Sequence, residues 1–438
     1  LSNFDPFAHL NALRPAVPWN PAKVEGPFAV DDLASLLGGE PASNLFGEHL
    51  RIRKWYAEPA QGPPPSDALG LLLPRSAQRP AEAGPQDEAA LSSLAGDPER
   101  WLFLDTETTG LAGGSGTYAF LVGLAWWDAG GLQTEQLFLR DFTEEHSLLS
   151  ALAGRLAERP VLVTFNGKTF DWPLLETRYR MTRRIPPPAL AVHLDLLHPA
   201  RQLWRQRWGS VRLCELERNV LSACGPPLGW SRTGDVPGEA IPHIYFEYLR
   251  GGRSEPLRAV LRHNAMDLRG LAALAGRVIA LLGEPETAEA DGYELYGVSR
   301  MVRQRAPHAV SRARVLFTSA VDAGLPQDLA RKARWEMARL AKREEDYDRA
   351  VALWQELAEE SPPGVISVEA CEQLAMHHER QLRDPRGALV QANRALAELR
   401  GLGRAGLADA RVLARIRFRL YERIARLEKK TERSPVNA

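Results

Sequence analysis

Sulfur is what this 438-residue sequence has least of: three cysteines, Cys214, Cys224 and Cys371, and five methionines. An odd number of scattered cysteines excludes a disulfide framework and a cysteine-rich zinc site. It fits a reducing compartment, the cytoplasm. No apolar run approaches the roughly 20 residues needed to span a bilayer, and no signal-peptide pattern appears, so no membrane partner is expected. A net charge is missing too: 55 Lys and Arg stand against 55 Asp and Glu. A nucleic-acid partner would therefore need a local basic patch, because the whole-molecule field offers no steering. The apolar share of 45% and charged share of 25% are those of a globular protein. The length calls for two or three domains.

Residues 1–97 carry the weakest pattern and read as an N-terminal extension. Residues 3–20 are apolar but irregular. Residues 31–37 suit a short helix, and residues 49–56, with Ile52, Trp55 and Tyr56, suit a strand. Residues 61–85 are rich in Pro, Ala and Gly and read as a linker; a partly disordered extension is the alternative. From residue 98 the pattern sharpens. Strands are predicted over 101–105, 118–127 and 134–140, the last two joined by a turn at 128–131. A helix follows over 144–158, a strand over 161–165, a helix over 171–183, a strand over 191–196, and a long closing helix over 257–282. The expectation for 98–285 is an α/β domain with a mixed five-stranded sheet and flanking helices. Residues 286–438 turn helical. Ala338, Tyr347, Ala350, Trp354 and Leu357, then Ala375, Ala388, Ala392 and Ala395, have spacing like tetratricopeptide (TPR) repeats, which need small residues where helices touch. An ordinary helical bundle is the alternative. The last helix is crowded with Arg411, Arg415, Arg417, Arg419, Arg423 and Arg426.

Chemistry concentrates at the end of the first predicted strand, Trp101-Leu102-Phe103-Leu104-Asp105-Thr106-Glu107-Thr108-Thr109-Gly110. Residues i and i+2 of a strand point the same way, so Asp105 and Glu107 project together. Two carboxylates held close repel unless a cation sits between them, and hard oxygen ligands suit Mg²⁺ or Mn²⁺. Asp171 opens a helix after Asn166-Gly167-Lys168-Thr169-Phe170. His263 and Asp267 lie one turn apart on one face of the closing helix. Alone, each of these has an ordinary structural explanation: a helix-terminus acid, a solvated histidine.

Together they resemble the DEDD (DnaQ-like) superfamily of 3′–5′ exonucleases of ribonuclease-H-like fold. Leu111 to Gly123, Leu213-Cys214-Glu215-Leu216-Glu217-Arg218, Asp235-Val236-Pro237-Gly238 and Ile241-Pro242 resemble the YprB-type bacterial branch, which couples such a domain to TPR-like C-terminal helices. The resemblance implies a ribonuclease-H-like domain and a metal-dependent 3′–5′ exonuclease that hydrolyses DNA with two divalent cations, Mg²⁺ or Mn²⁺, in DNA repair. It implies Asp105, Glu107, Asp171 and Asp267 as metal ligands and His263 as the general base. It also implies a superfamily-2 helicase partner. By analogy Thr108, Asn166 and Phe170 contact the terminal nucleotide. One spacing departs from the pattern. The common histidine form of the superfamily has its His five residues before the last Asp, and here the interval is four, a difference of roughly 100° around a helix.

The basic stretch with Arg201, Trp204, Arg205, Arg207 and Trp208 interleaves cations with aromatics, which suits single-stranded nucleic acid. It reads equally as an amphipathic helix with core tryptophans. Asp195 reads as a structural partner near the site. Two rival functions stand beside the main one: an exoribonuclease in RNA processing, and a non-catalytic TPR adaptor.

Overall fold

The computed structural model describes residues 30–58, 62–73, 85–110, 116–222, 230–407 and 409–433. Residues 3–20, residues 111–115 of the glycine-rich run, Cys224 and part of the 61–85 linker lie outside them. The described chain divides into two compact units, one from residues within 1–61, 99–195 and 224–272, the other from residues within 62–98, 196–223 and 273–438.

The first unit is built on one sheet: β1 (Glu40–Asn44), β2 (Gly47–Tyr56), β3 (Trp101–Thr108), β4 (Ala119–Asp128), β5 (Gly131–Phe138), β6 (Val161–Thr164) and β7 (Val192–Asp195). The strand order is β1-β2-β5-β4-β3-β6-β7. The sheet is mixed, as expected, with β3, β6 and β7 parallel and the remaining pairs antiparallel. It has seven strands rather than five. The extra two come from the N-terminal extension, where β2 pairs along β5 from Leu50↔Phe138 to Tyr56↔Leu132. The β4–β5 turn places Ala129 at φ 49° and Gly130 at φ 78°. Positive φ at both central residues is the hairpin geometry that matches strand twist.

Helices Glu145–Glu158 and Asp171–Thr182 and the start of the closing helix, Leu257–Gly283, bury this unit's core. Phe120 stacks on Tyr245 at 3.9 Å, and Phe138 meets both edge-on. The Tyr245 hydroxyl donates to the Leu139 carbonyl at 3.0 Å, so the buried ring also satisfies its polar end.

The second unit is helical. From Gly292–Arg305 to Ala410–Arg433 each helix packs on its neighbour in sequence. Ala338, Ala350, Ala375, Ala388, Ala392 and Ala395 are fully buried, as close helix approach requires. Leu197–Trp208 belongs here and packs on Gly292–Arg305. A Cβ on Gly297 would stand 2.7 Å from the Gln202 carbonyl oxygen. Among the described residues, no helix is long and apolar enough to cross a membrane.

Candidate active site

β3 begins as a fully buried run, Trp101–Leu104, and opens at Asp105. Glu107 follows on the same side. The closing helix supplies His263, Asn264 and Asp267, and the helix Asp171–Thr182 supplies Asp171 at its first position. The side chains of Glu107, Asp235, His263 and Asp267 keep only 13% to 19% exposure.

These carboxylates act on one another. Burial, then Asp267, Glu107 and Asp171, push the Asp105 carboxyl well above the usual carboxylate range, against the opposing Asn264 hydrogen bond. Burial, then Asp267, Asp171 and Asp235, does the same to Glu107. Asp171 is raised mainly by burial, with Thr106 Oγ1 donating to it at 2.5 Å in opposition. The structure thus brings Asp105, Glu107, Asp171, His263 and Asp267 into one electrostatic cluster.

His263 is held from both sides. Its Nδ1 lies 2.9 Å from Asp235 Oδ1, and its Nε2 lies 3.4 Å from Asp267 Oδ2 and 4.0 Å from Glu107 Oε1. Burial alone would raise the Asp235 carboxyl, but hydrogen bonds from Arg232 and His263 hold it below its ordinary value. The Arg232 guanidinium bridges Asp235 and Asp267. Asp235 lies in the motif singled out above, but its partnership with His263 spans 28 residues and has no local signature.

A second arrangement had no sequence signal at all. Asn264 is fully buried. Its Nδ2 donates to Asp105 Oδ2 at 2.8 Å, and its Oδ1 accepts from Gln136 Nε2 at 2.9 Å. Gln136 also donates to the Leu261 carbonyl at 2.8 Å. The amide fits because Gly123, paired across the ladder with both Asp105 and Gln136, has no side chain. A Cβ there would stand 2.1 Å from Asn264 Oδ1, and real Cβ atoms do not come that close to a buried neighbour. Gly123→Ala is expected to displace Asn264 and with it Asp105. The expected result is a loss of about 10²-fold in turnover, the effect of roughly 1 Å of misplacement in an active site. Circular dichroism should meanwhile report a folded protein. Unchanged turnover in that variant would show that the amide does not position Asp105.

Among the described residues, no three His, Cys, Asp or Glu side chains converge in metal-binding geometry as they stand. Asn264 holds Asp105, Thr106 holds Asp171, and Arg232 holds Asp267. The donor chemistry nevertheless fits a divalent cation: the acids are hard oxygen ligands, partly desolvated, whose mutual repulsion a cation would relieve.

Around the cluster, Phe170 is 57% exposed beside Asp171. Thr108 Oγ1 donates to the Gly110 carbonyl at 2.8 Å. Asn166 adopts φ 68°. Asp195 accepts the backbone N–H groups of Asn166 and Lys168 at 2.8 and 3.1 Å, and so organises the loop that leads to Asp171.

Arg201 and Arg205 belong to the second unit, on the exposed side of Leu197–Trp208. Trp204 of that helix is buried, and its Nε1 donates to Glu294 Oε1 at 2.8 Å. It is core and cannot stack on a base. In the last helix, Arg419 pairs with Glu372, and Arg423 and Arg426 pair with Glu379. Half of the arginines singled out there thus serve helix packing.

Residues 102–279 match the family model of the RNase H superfamily. Over 344 residues the chain is 30% identical to the uncharacterized protein YprB of Bacillus subtilis (strain 168), covering 78% of this chain and 77% of that one. A family B DNA polymerase from the hyperthermophilic archaeon Pyrobaculum calidifontis is similar at 16% identity and a TM-score of 0.32. That similarity covers 47% of this chain and 29% of the polymerase chain. The chain belongs to the same family as Bacillus subtilis YprB, and its sheet domain belongs to the RNase H superfamily.

Proposed function

We propose that this protein is a divalent-cation-dependent 3′–5′ exonuclease acting on DNA. The observation that carries the reading is the single cluster of Asp105, Glu107, Asp171 and Asp267, each drawn from an element of the ribonuclease-H-like unit, with the His263–Asp235 pair against it. Asp105, Glu107, Asp171 and Asp267 would hold two cations, Mg²⁺ or Mn²⁺. When bound, these offset charge at the phosphate and assist attack and departure in line.

The chain's own groups do the rest. Asp235 accepts the Nδ1 proton of His263, which leaves the Nε2 lone pair facing the acids. Nε2 can then accept the proton of a water that attacks phosphorus. The bond from phosphorus to the O3′ of the next nucleotide breaks, solvent protonates that oxygen, and a 5′-mononucleotide leaves. Thr108 follows Glu107 in the chain and the exposed Phe170 precedes Asp171, and these two with Asn166 are read as contacts to the terminal nucleotide. Arg201 and Arg205 are exposed cations suited to phosphates, without the stacking role for Trp204. A role in repair, TPR-like repeats in the second unit that bind a partner, and a helicase as that partner rest on the family resemblance.

The test uses end-labelled single-stranded, duplex and tailed DNA, and matched RNA, with Mg²⁺, Mn²⁺ or a chelator. Stepwise shortening of DNA from the 3′ end, abolished by the chelator, is the expected result. Shortening of RNA in preference to DNA would make it an exoribonuclease. No cleavage of any strand with either cation would leave the helical unit as the working part, in an adaptor.

A further inference from the structure

We infer that the N-terminal extension completes a basic cleft that holds the phosphates of a single strand, on the opposite face of the closing helix from the acids. This rests on the nuclease reading only for its choice of ligand. The cleft has a volume of about 600 Å³, within the range of small-molecule sites. Its floor comes from Leu261, Ala265 and Met266, and its cations are Lys54, Arg258, Arg262 and Arg269. Residues 258, 262, 265 and 269 share one face of the helix, roughly 150° from the face of His263 and Asp267. The far wall, Ser35 to Gly38 with Lys54 and Tyr56, belongs wholly to the extension, outside the segment matched to the RNase H superfamily.

The charge balance selects the ligand. Among the described residues, the cleft is lined by four cations and no carboxylate. Arg269 is neutralised by Glu58 and lies between the rings of Tyr56 and Trp230, at 4.1 and 4.3 Å. It is fixed structure. The other three have no acid partner among the described residues. Arg258 Nε donates to the Leu36 carbonyl, and Arg262 donates to the carbonyls of Ser231 and Thr233. Lys54 is exposed, and its ammonium has no partner among the described residues. Three unneutralised cations around a nucleotide-sized space suit phosphate oxygens, which meet Arg and Lys in charge-assisted bonds. The cleft also adjoins the site in sequence: Ser231 lines it, and the next residue, Arg232, holds Asp267. Phosphates of nucleotides reach such a cleft either on the strand being degraded or as free mononucleotide.

Lys54→Glu removes an exposed cation that has no partner among the described residues, and circular dichroism checks that the variant is folded. Binding of a fluorescent single strand of about 20 nucleotides is measured by anisotropy with the full chain in chelator, where no cation-dependent cleavage intervenes. The expected result is weaker binding, and a fall of about 0.7 in the slope of log K against log salt for the lost phosphate contact. Lys54→Glu combined with Arg258→Glu should roughly double that change. Arg250→Glu, an exposed reversal elsewhere on the same unit, is the control and should leave the slope alone. A second arm titrates dAMP against the strand. A loss confined to dAMP assigns the cleft to free mononucleotide. Unchanged binding in both arms, or an equal loss in Arg250→Glu, overturns the cleft. Because binding is read without turnover, absence of cleavage by the wild type would sink the nuclease reading and leave this result standing.

Discussion

Asp105→Asn should abolish cleavage and at the same time make the cation-free protein more stable. The substitution keeps the shape of the side chain and removes its charge. Asp105 stands among Asp267, Glu107 and Asp171, and burial together with these neighbours raises its carboxyl well above the ordinary range. A carboxyl whose pKa is raised by folding stabilises the fold while protonated. That contribution is complete below the ordinary carboxylate pKa and is lost as pH rises through the raised value. At neutral pH, above the ordinary carboxylate value, the Asp105 carboxyl is therefore a net cost to the cation-free fold. The amide escapes it, and its carbonyl oxygen can still accept from Asn264 Nδ2, as Asp105 Oδ2 does at 2.8 Å. Melting in chelator should rise by a few degrees, at roughly 2–4 °C per kcal/mol for a domain of this size. The rise should shrink as pH falls toward the acid range, where the wild type also loses the charge. Cleavage should drop by about 10³-fold or more, at least ~4 kcal/mol of barrier, because on the proposed reading Asp105 is one of the acids that would hold the cations. Mn²⁺ is expected to raise the melting temperature of the wild type, and that rise should shrink in Asp105→Asn. Near-normal cleavage with the same cation dependence would sink the site as assembled here. A destabilised cation-free protein would show that Asp105 is held by favourable contacts rather than against repulsion.

The parts of this site that could be read from the sequence are those written in short-range pattern. The apolar run into Asp105 and Glu107 announced β3. The Asp128 to Gly131 turn announced the hairpin, and the 3.6-residue spacing announced the closing helix with His263 and Asp267 on one face. The buried alanines of the second unit were legible for the same reason, since helix contact demands small residues at fixed intervals. What escaped depends on distance in the chain. Asn264 sits between two noticed residues, but its importance comes from Gln136, 128 residues away, and from Asp105, 159 away. Gly123 reads as an interruption in a strand until Asn264 is seen occupying its missing side chain. β1, Glu-Pro-Ala-Ser-Asn, has no strand-forming residues at all. It is a strand because β2 gives it a partner, and context outweighs propensity at a sheet edge. β2 matches the strand pattern at residues 49–56 in all but its first two residues. Its place in the same sheet as the acids depends on pairing with β5, which no local pattern records.

His263→Ala should lower turnover by about 10²–10⁴-fold, the loss typical of a single general base. It should cost less than Asp105→Asn, because the acids that would hold the cations remain. The spacing of four residues, rather than five, turns the ring to another side of the helix, and the structure shows what meets it there. Asp235 accepts from Nδ1 at 2.9 Å, while Nε2 looks toward Asp267 and Glu107. The carboxylate favours one tautomer and fixes the ring plane, so on the proposed reading the lone pair at Nε2 would take the proton of the attacking water. Asp235 itself stays ionised because Arg232 and His263 donate to it. A ring that merely packs cannot be replaced from solution, whereas a proton acceptor can. Added imidazole should therefore restore part of the lost turnover in His263→Ala and none in Asp105→Asn. Asp235→Asn should lower turnover less than His263→Ala, since its amide can hold the ring but can donate to Nδ1 and favour the wrong tautomer. The double variant His263→Ala/Asp235→Asn should be no slower than His263→Ala alone, because residues that act as one unit are not additive. Losses that multiply instead, with no rescue by imidazole, would mean that Asp235 and His263 act separately and that His263 shapes the site without accepting the proton.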